Sequence, residues 1–477
     1  RIARAGCKVK YIEMTSNWQA GTKQYQAVPV GIAGFSAVFL LLLIINRNTI
    51  TNPPYWDDII GLHYQAIWLG KYHFNLTRLW TEERGFNGAC FYPLGIIPWL
   101  YGLGYELMPA TTVHLLGHLF NIACLAAAAT VFVAIARRHV SQPAAWLMVM
   151  LALSAPIMMG VGAGLGQEAP LLLTAMISIA AFMQCRYRTA YIWGGIACLV
   201  KITAIILLLA YVCFWGLALV SRWRRRRIMM AGIVVVMTSF VIIGMMVFPS
   251  VVNHSVFQSP IRLLLLRAIE HMVFFYPFIA VQYIIAIVAI GITMFKREQR
   301  MRKIWSLLLL IFITGFFSSC FFHHLPIPRY AALIHMPLSM LLLLNIRERW
   351  LWCIVPLLVA CQLYCCDGRH YPRLPEDIAR TGAYLERSRE FLVDLESNRK
   401  ICHWLEENYF DAPVVVKWPF VHMLTLPEFG YVSRPLPNIY AVGMGPRLSS
   451  AKNAADGITD AKRALFVYIP HCYRFAP

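Results

Sequence analysis

The chain has 477 residues, of which 59% are hydrophobic and only 14% are charged. Soluble proteins carry about 25% charged residues, so this composition excludes an ordinary soluble protein and predicts a polytopic membrane protein. The net charge of +20 comes from short lysine and arginine clusters between apolar runs. Such clusters are typical of cytoplasmic loops and not of a nucleic-acid-binding face, so we expect membrane lipid and no nucleic acid as a partner.

Membrane-length apolar runs recur from residue 27 to residue 366. They fall near 27–46, 110–136, 144–162, 167–185, 190–220, 228–248, 273–295, 304–322, 329–346 and 350–366. The run 190–220 is too long for one span, because about 20 helical residues cross the hydrocarbon. If Lys201 forms the outer tip of a hairpin there, every basic cluster lies on the inner side. We therefore predict about eleven transmembrane segments, with the N-terminus inside and the C-terminal tail outside.

The first predicted outer loop, 47–109, carries the adjacent acids Asp57 and Asp58. Two neighbouring carboxylates are costly to bring near lipid, which suggests a function for them. The apolar residues from Ile60 to Trp68 recur at helical spacing, so we predict an interfacial helix with Asp57 as its N-cap. The alternative is that the aspartate only caps a surface helix.

The composition changes after Cys366, where charged residues, proline and glycine become more frequent. We divide the chain there into a transmembrane domain, 1–366, and a small outer-face domain, 367–477. The pattern of the outer domain predicts helices followed by strands, and hence an α/β fold. The predicted helices cover 377–395 and 398–408, and the predicted strands cover 412–417 and 464–469.

Six stretches spread over most of the chain carry family motifs. They are Tyr55-Trp56-Asp57-Asp58 with His63-Tyr64, Phe91-Tyr92-Pro93-Leu94-Gly95, Gln167-Glu168-Ala169-Pro170-Leu171, the segment from Gly194 to Lys201, Pro328-Arg329-Tyr330, and the tail segment from Trp404 to Val432. In this order they resemble the GT-C superfamily of polyprenyl-phosphate-sugar glycosyltransferases. The resemblance is to the branch that contains protein O-mannosyltransferases and the aminoarabinose transferase of lipid A.

This resemblance implies a mainly α fold, a GT-C-like transmembrane bundle with interfacial helices in the first outer loop. It implies an inverting transfer of a sugar from a polyprenyl-phosphate donor to an outer-face acceptor, which could be a protein, a lipid or a glycan. The expected location is the bacterial inner membrane, with the site on the periplasmic side. Two alternatives stay open: a catalytically silent subunit with the GT-C scaffold, and a transporter of lipid or sugar.

Inversion requires one carboxylate to accept the proton of the acceptor hydroxyl. We predict Asp57 in this role; Asp58 is the alternative base, or it orients the acceptor or helps to hold a metal. The departing polyprenyl phosphate requires cations, for which Lys201 and Arg329 are the candidates. The alternatives are a snorkelling lysine and an interfacial anchor arginine.

Three further residues belong to the predicted site. Glu168, at the start of a membrane segment, is a candidate second acid or metal ligand, although an acid at a helix N-terminus is also stabilised by the helix dipole. His63 and Tyr64 follow the acidic pair and are candidates for the acceptor site. The sequence identifies no cofactor. If a divalent Mg or Mn ion binds, we expect it on Asp57, Asp58 and Glu168.

Overall fold

The structure of the chain is a computed structural model. It describes residues 28–55, 58–78, 95–220, 276–294, 300–321, 328–366, 387–416, 419–441 and 465–466. The predicted acid Asp57, residues 91–94 of the motif 91–95, and the predicted membrane segment 228–248 lie outside these residues.

Helices make up most of the described chain. We call residues 1–366, the predicted transmembrane domain, the membrane part. Its helices are α1 (Val28–Asn46), a π-helical turn (Ile59–Tyr64) that continues into α2 (Gln65–Lys71), α3 (Ile96–Leu107), α4 (Ala110–Ala136), α5 (Gln142–Leu153), α6 (Pro156–Ala163), α7 (Glu168–Met183), α8 (Tyr187–Val200), a 3₁₀ turn (Ile202–Ala204), α9 (Ile205–Val220), α10 (Pro277–Met294), α11 (Arg300–Phe321), a 3₁₀ turn (Pro328–Ala331), α12 (Ala332–Asn345) and α13 (Glu348–Tyr364). In the tail they are α14 (Phe391–Asn408), α15 (Phe420–Thr425) and a 3₁₀ turn (Pro427–Phe429).

Helix α4 is, among the described residues, the one helix that is long and apolar enough by itself to cross a membrane. Helices α5 and α6 would form a second, broken span if taken together, since they bend by 72° at their junction. The bend has a local cause: Pro156 opens α6 and holds the preceding Ala155 in an extended conformation. Shorter apolar helices fall within other predicted runs. The number of eleven segments stays a prediction.

The run 190–220 breaks at Lys201, as the hairpin prediction requires. The Lys201 backbone is extended, with φ −153° and ψ 126°, and separates α8 from the 3₁₀ turn before α9. A Cβ on Gly194 would lie 2.5 Å from a methyl group of Leu208, and the rings of Tyr191 and Tyr211 lie 5.8 Å apart. In each pair, one residue lies as far before Lys201 in the sequence as the other lies after it, so the two helices fold back on each other.

The first-loop helix is buried on two faces. Leu62 and Ala66 belong to the main core with residues of α3 and α4, and a Cβ on Gly70 would lie 2.8 Å from a carbonyl of α3. Ile59 and Ile67, on another face, pack into the core of the tail. The predicted half-buried helix is therefore enclosed between the membrane part and the tail.

The tail contains a parallel three-stranded sheet. Its strands are β1 (Val414–Val416), β2 (Ile439–Ala441) and β3 (Leu465–Phe466), in the order β2-β1-β3. The central strand β1 is entirely apolar and buried, as expected for a strand covered on both faces. Strands β1 and β3 lie in the predicted positions, whereas β2 was not predicted.

One continuous helix, α14, runs through the break predicted between residues 395 and 398. Residues 377–386 of the first predicted helix lie outside the described residues. Ser397 and Asn398 are residues that favour helix starts, but here both lie inside the helix. The Ser397 hydroxyl donates to the Val393 carbonyl, and the Asn398 amide donates to the carboxylate of Asp394. These bonds to the preceding turn satisfy both side chains, so the helix need not end there.

The tail is joined to the first loop by buried polar contacts. The Tyr431 hydroxyl donates to the Pro54 carbonyl at 2.9 Å, and the Tyr55 hydroxyl donates to the carboxylate of Asp394. The Tyr55 ring lies 5.3 Å from that of Phe391. The residues that precede the predicted acidic pair are therefore fixed by the tail.

Candidate active site

Four charged side chains from separate elements meet between the membrane part and the tail. Arg329 Nη1 lies 2.7 Å from Asp58 Oδ1, and Arg329 Nε lies 3.5 Å from Glu168 Oε1. Lys201 Nζ lies 2.7 Å from the same Glu168 oxygen. All four are residues that the sequence predicted for the site. We call this group the charged cluster.

The charged cluster is largely withdrawn from water. The exposed fraction of the side chain is 7% for Asp58, 5% for Glu168, 12% for Arg329 and 17% for Lys201. Buried charges are tolerated when they are paired, and here two carboxylates face two cations. The cluster is therefore electrically balanced within itself.

Each member of the charged cluster lies at an end or a break of a helix. Asp58 precedes the π-helical turn and makes no side-chain capping bond, so its carboxylate is available to Arg329. Glu168 is the first residue of α7, Lys201 occupies the break before α9, and Arg329 lies in the 3₁₀ turn before α12. π-Helical turns are rare and often mark functional sites, which draws attention to the segment after Asp58.

The ring of Tyr330 lies beside the two cations. Lys201 Nζ lies 3.6 Å from the centre of its ring, and the Arg329 guanidinium carbon lies 5.9 Å from it. An ammonium over an aromatic face is attracted by the ring quadrupole. Tyr330 and Glu168 together hold Lys201 in place.

A pocket opens onto the charged cluster. Its wall consists of residues from the first loop, α6, the α6–α7 loop, the start of α7, the turn before α12 and the tail. The lining residues are Tyr55, Asp58, Gly160, Val161, Gly164, Gly166, Glu168, Arg329 and Phe391. A Cβ on Gly166 would lie 2.2 Å from Glu168 Oε2 and 3.1 Å from Asp58 Oδ1. The absence of a side chain at Gly166 therefore leaves the space that both carboxylates occupy.

Buried polar side chains hold the α6–α7 loop from behind. The Asn121 amide donates to the carbonyls of Gly164 at 3.0 Å and Gly166 at 3.1 Å. His63 Nε2 donates to the Leu165 carbonyl at 3.4 Å, and its Nδ1 lies 2.7 Å from the Tyr105 hydroxyl. Three successive carbonyls of the loop thus have buried partners on the side away from the pocket.

His63 and Tyr64 do not line the pocket. Burial, with the neighbouring His114, holds the pKa of His63 well below its ordinary value, so its ring is neutral at neutral pH. Tyr64 faces the ring of His422 in the tail at 5.0 Å. The contacts of His63 are with the α6–α7 loop, α3 and α4, and Tyr64 contacts Trp68 and the tail. Their role at an acceptor site stays a prediction.

The sequence did not single out the uncharged residues of the pocket. Tyr55 appeared only as part of a motif, and Phe391, Gly160 and Gly164 gave no signal. Gly166 stands two residues before Glu168, a spacing that could have indicated close approach of backbone and carboxylate. The position of Phe391 depends on how the tail folds onto the membrane part.

The predicted divalent-metal site stays a prediction, because Asp57, one of its three proposed ligands, lies outside the described residues. No group of three histidine, cysteine or acidic side chains is placed to hold an ion within the described ranges. Asp58 and Glu168 both face the guanidinium of Arg329, so a cation of the chain already lies between the two carboxylates. No chemical step is therefore assigned to a metal.

No family model and no curated protein matches the sequence. Among solved structures, the chain is similar to ArnT from Cupriavidus metallidurans, a crystal structure with undecaprenyl phosphate bound. The match covers 90% of this chain and 88% of ArnT, with a TM-score of 0.50 and 16% identity. At this identity the likeness concerns the fold. The chain therefore has an ArnT-like fold, while its family and its membrane location stay predictions.

Proposed function

We propose that this chain is a membrane glycosyltransferase that takes a sugar from a polyprenyl-phosphate donor and attaches it to an acceptor hydroxyl. The observation that carries the proposal is one pocket lined by a carboxylate, Asp58, and a cation, Arg329. A second cation, Lys201, is paired with Glu168 of the same pocket. The likeness to ArnT, whose crystal structure contains undecaprenyl phosphate, supports a lipid-linked donor. The bacterial inner membrane and its periplasmic face are part of the proposal.

The reaction requires one bond to form and one to break at the anomeric carbon. The acceptor oxygen bonds to this carbon from one face while the bond to the phosphate oxygen breaks on the other, which inverts the configuration. The acceptor proton passes to a carboxylate, and the bonding pair leaves with the polyprenyl phosphate. We assign the proton acceptor to Asp58, because its carboxylate lies in the pocket; Asp57, the first candidate from the sequence, is not described.

The departing phosphate gains negative charge, which the two cations stabilise. Arg329 can bind two phosphate oxygens at once, whereas Lys201 acts as a point charge. Preorganised cations of this kind are usually the largest contribution to such catalysis. Glu168 contacts both cations, and we propose that it positions them and does not act as a second acid.

The acceptor is proposed to enter beside the tail. Tyr55 and Phe391 form the pocket wall where the first loop and α14 meet. Within this wall, Phe391 is the residue that the tail contributes. Differences in the tail would then select among proteins, lipids and glycans as acceptors.

Replacing Asp58 by asparagine tests the proposal. Membranes containing the chain are supplied with polyprenyl-phosphate sugars, and the released polyprenyl phosphate is measured. This product is the same whichever acceptor receives the sugar. Loss of a general base predicts a fall in release of about 100-fold or more. Asp411→Asn, which removes an exposed carboxylate of the tail, is the matched control and should release the product normally.

The same measurement separates the transferase from the silent scaffold and from the transporter. A scaffold or transporter releases no polyprenyl phosphate above membranes that lack the chain. Equal release by Asp58→Asn and Asp411→Asn would remove Asp58 from the chemistry.

A further inference from the structure

We infer that Asp58 and the donor phosphate bind Arg329 in turn, so that arrival of the donor frees the carboxylate that accepts the acceptor proton. This inference rests on the proposed function and concerns how the site is regulated. Its starting point is the contact of 2.7 Å between Arg329 Nη1 and Asp58 Oδ1. In this arrangement Arg329, which we assign to the donor phosphate, is bound instead to Asp58, the proposed base.

The paired arrangement is unsuited to catalysis as it stands. A neighbouring positive charge favours the ionised form of a carboxylate and so makes it a poor proton acceptor. Asp58 therefore has to separate from Arg329 before it can take a proton from the acceptor. The bound arrangement is consistent with a resting site.

Charge balance supplies the reason for the exchange. Among the described residues, the two cations of the charged cluster are matched by two carboxylates, Asp58 and Glu168. A donor phosphate adds at least one negative charge to a site that is mostly buried. An unpaired buried charge is strongly unfavourable, so the incoming phosphate has to take a cation from one of the carboxylates. The carboxylate that loses its cation becomes neutral when it takes the proton of the acceptor hydroxyl.

Arg329 is the cation positioned to change partners. Lys201 is held on one side by Glu168 at 2.7 Å and on the other by the Tyr330 ring at 3.6 Å. Arg329 lies within reach of both carboxylates, at 2.7 Å from Asp58 and 3.5 Å from Glu168. Its fork of five N–H groups allows it to keep Glu168 while it turns from Asp58 to a phosphate.

The exchange would make the base dependent on the donor. Without donor, Asp58 stays paired and activates neither the acceptor nor water. With donor bound, the same movement stabilises the leaving group and releases the base. Donor binding would therefore precede productive binding of the acceptor.

The test uses the purified full-length chain in lipid nanodiscs and measures binding of undecaprenyl phosphate, with undecaprenol as the uncharged reference. Because Asp58 competes with phosphate for Arg329, Asp58→Asn should bind undecaprenyl phosphate about tenfold more tightly than the unmodified chain. Asp411→Asn should leave the affinity unchanged.

A double-mutant cycle separates exchange from simple charge repulsion. Exchange predicts that the gain from Asp58→Asn disappears when Arg329 is replaced by glutamine, and persists when Lys201 is replaced by glutamine. Repulsion between Asp58 and phosphate predicts the same gain in both backgrounds. Arg329→Met is used if Arg329→Gln does not fold, as judged by size-exclusion chromatography.

The outcomes distinguish failure of the inference from failure of the proposed function. If the unmodified chain binds undecaprenyl phosphate no better than undecaprenol, the proposed function fails and the inference fails with it. If it binds the phosphate but Asp58→Asn shows no gain, or a gain that survives loss of Arg329, only the exchange is overturned.

Discussion

Gly166 lies where the two carboxylates of the pocket come closest to the backbone. Its replacement by alanine would place a Cβ at 2.2 Å from Glu168 and 3.1 Å from Asp58, so at least one carboxylate has to move. Displacements of about 1 Å can lower an enzymatic rate about 100-fold. We predict such a fall in polyprenyl phosphate release for Gly166→Ala.

Gly164 provides the matched control for this prediction. It lies two residues earlier in the same loop and also lines the pocket. A Cβ there meets nothing closer than 3.6 Å, which is an ordinary contact. Gly164→Ala should retain most of the activity, and equal losses in the two variants would contradict the steric explanation.

The charged members of the site could be predicted because charged residues stand out against apolar runs. Asp58, Glu168, Lys201 and Arg329 all lie at ends of predicted membrane segments or in the loop between them, and a topology that gathers the lysine and arginine clusters inside places them together. Glycine and aromatic residues are common throughout a membrane protein. The importance of Gly166 therefore becomes visible only when the atoms around it are known.

At the scale of elements, the contact between the tail and the first loop supports the pocket wall. Tyr431→Phe removes the hydroxyl that donates to the Pro54 carbonyl and leaves that buried carbonyl without this donor. We expect a loss of about 1–2 kcal/mol in the stability of the docked tail, seen as faster limited proteolysis of the tail. Tyr409→Phe is the control, because the described contact of Tyr409 is made by its ring, with Trp404.

Helix α14 and strands β1 and β3 of the tail were predicted in type, whereas helix α15 and strand β2 were not predicted. Asn398, at the predicted helix boundary, is of a residue type that favours helix starts. The partner that satisfies Asn398, Asp394, lies within the same helix and reverses that expectation. Strand β2 has three residues, too few for an alternating pattern, and its position follows from pairing with β1.

At the scale of the whole molecule, docking of the tail should depend on pH. Burial lowers the pKa of His422 to about 4, from an ordinary value near 6.5. Between these values the unfolded chain binds a proton that the folded chain does not, so the free energy of unfolding falls as the pH falls from about 6.5 to about 4. The melting temperature in detergent should decrease over this range.

His422→Gln should flatten this dependence, because the variant has no group at residue 422 to protonate. His63, whose pKa burial also lowers, contributes in the same direction and should leave a residual slope. A melting curve with the same pH dependence in the variant and the unmodified chain would show that His422 contributes nothing.

The charged cluster draws its members from positions 58, 168, 201 and 329, so it spans most of the membrane part of the chain. During synthesis the last of these residues emerges only after the others have been inserted. A polypeptide that ends between residues 168 and 329 has both carboxylates of the charged cluster but lacks the guanidinium that lies between them. Under the proposed function, we therefore expect incomplete products of translation to be inactive toward a lipid-linked sugar.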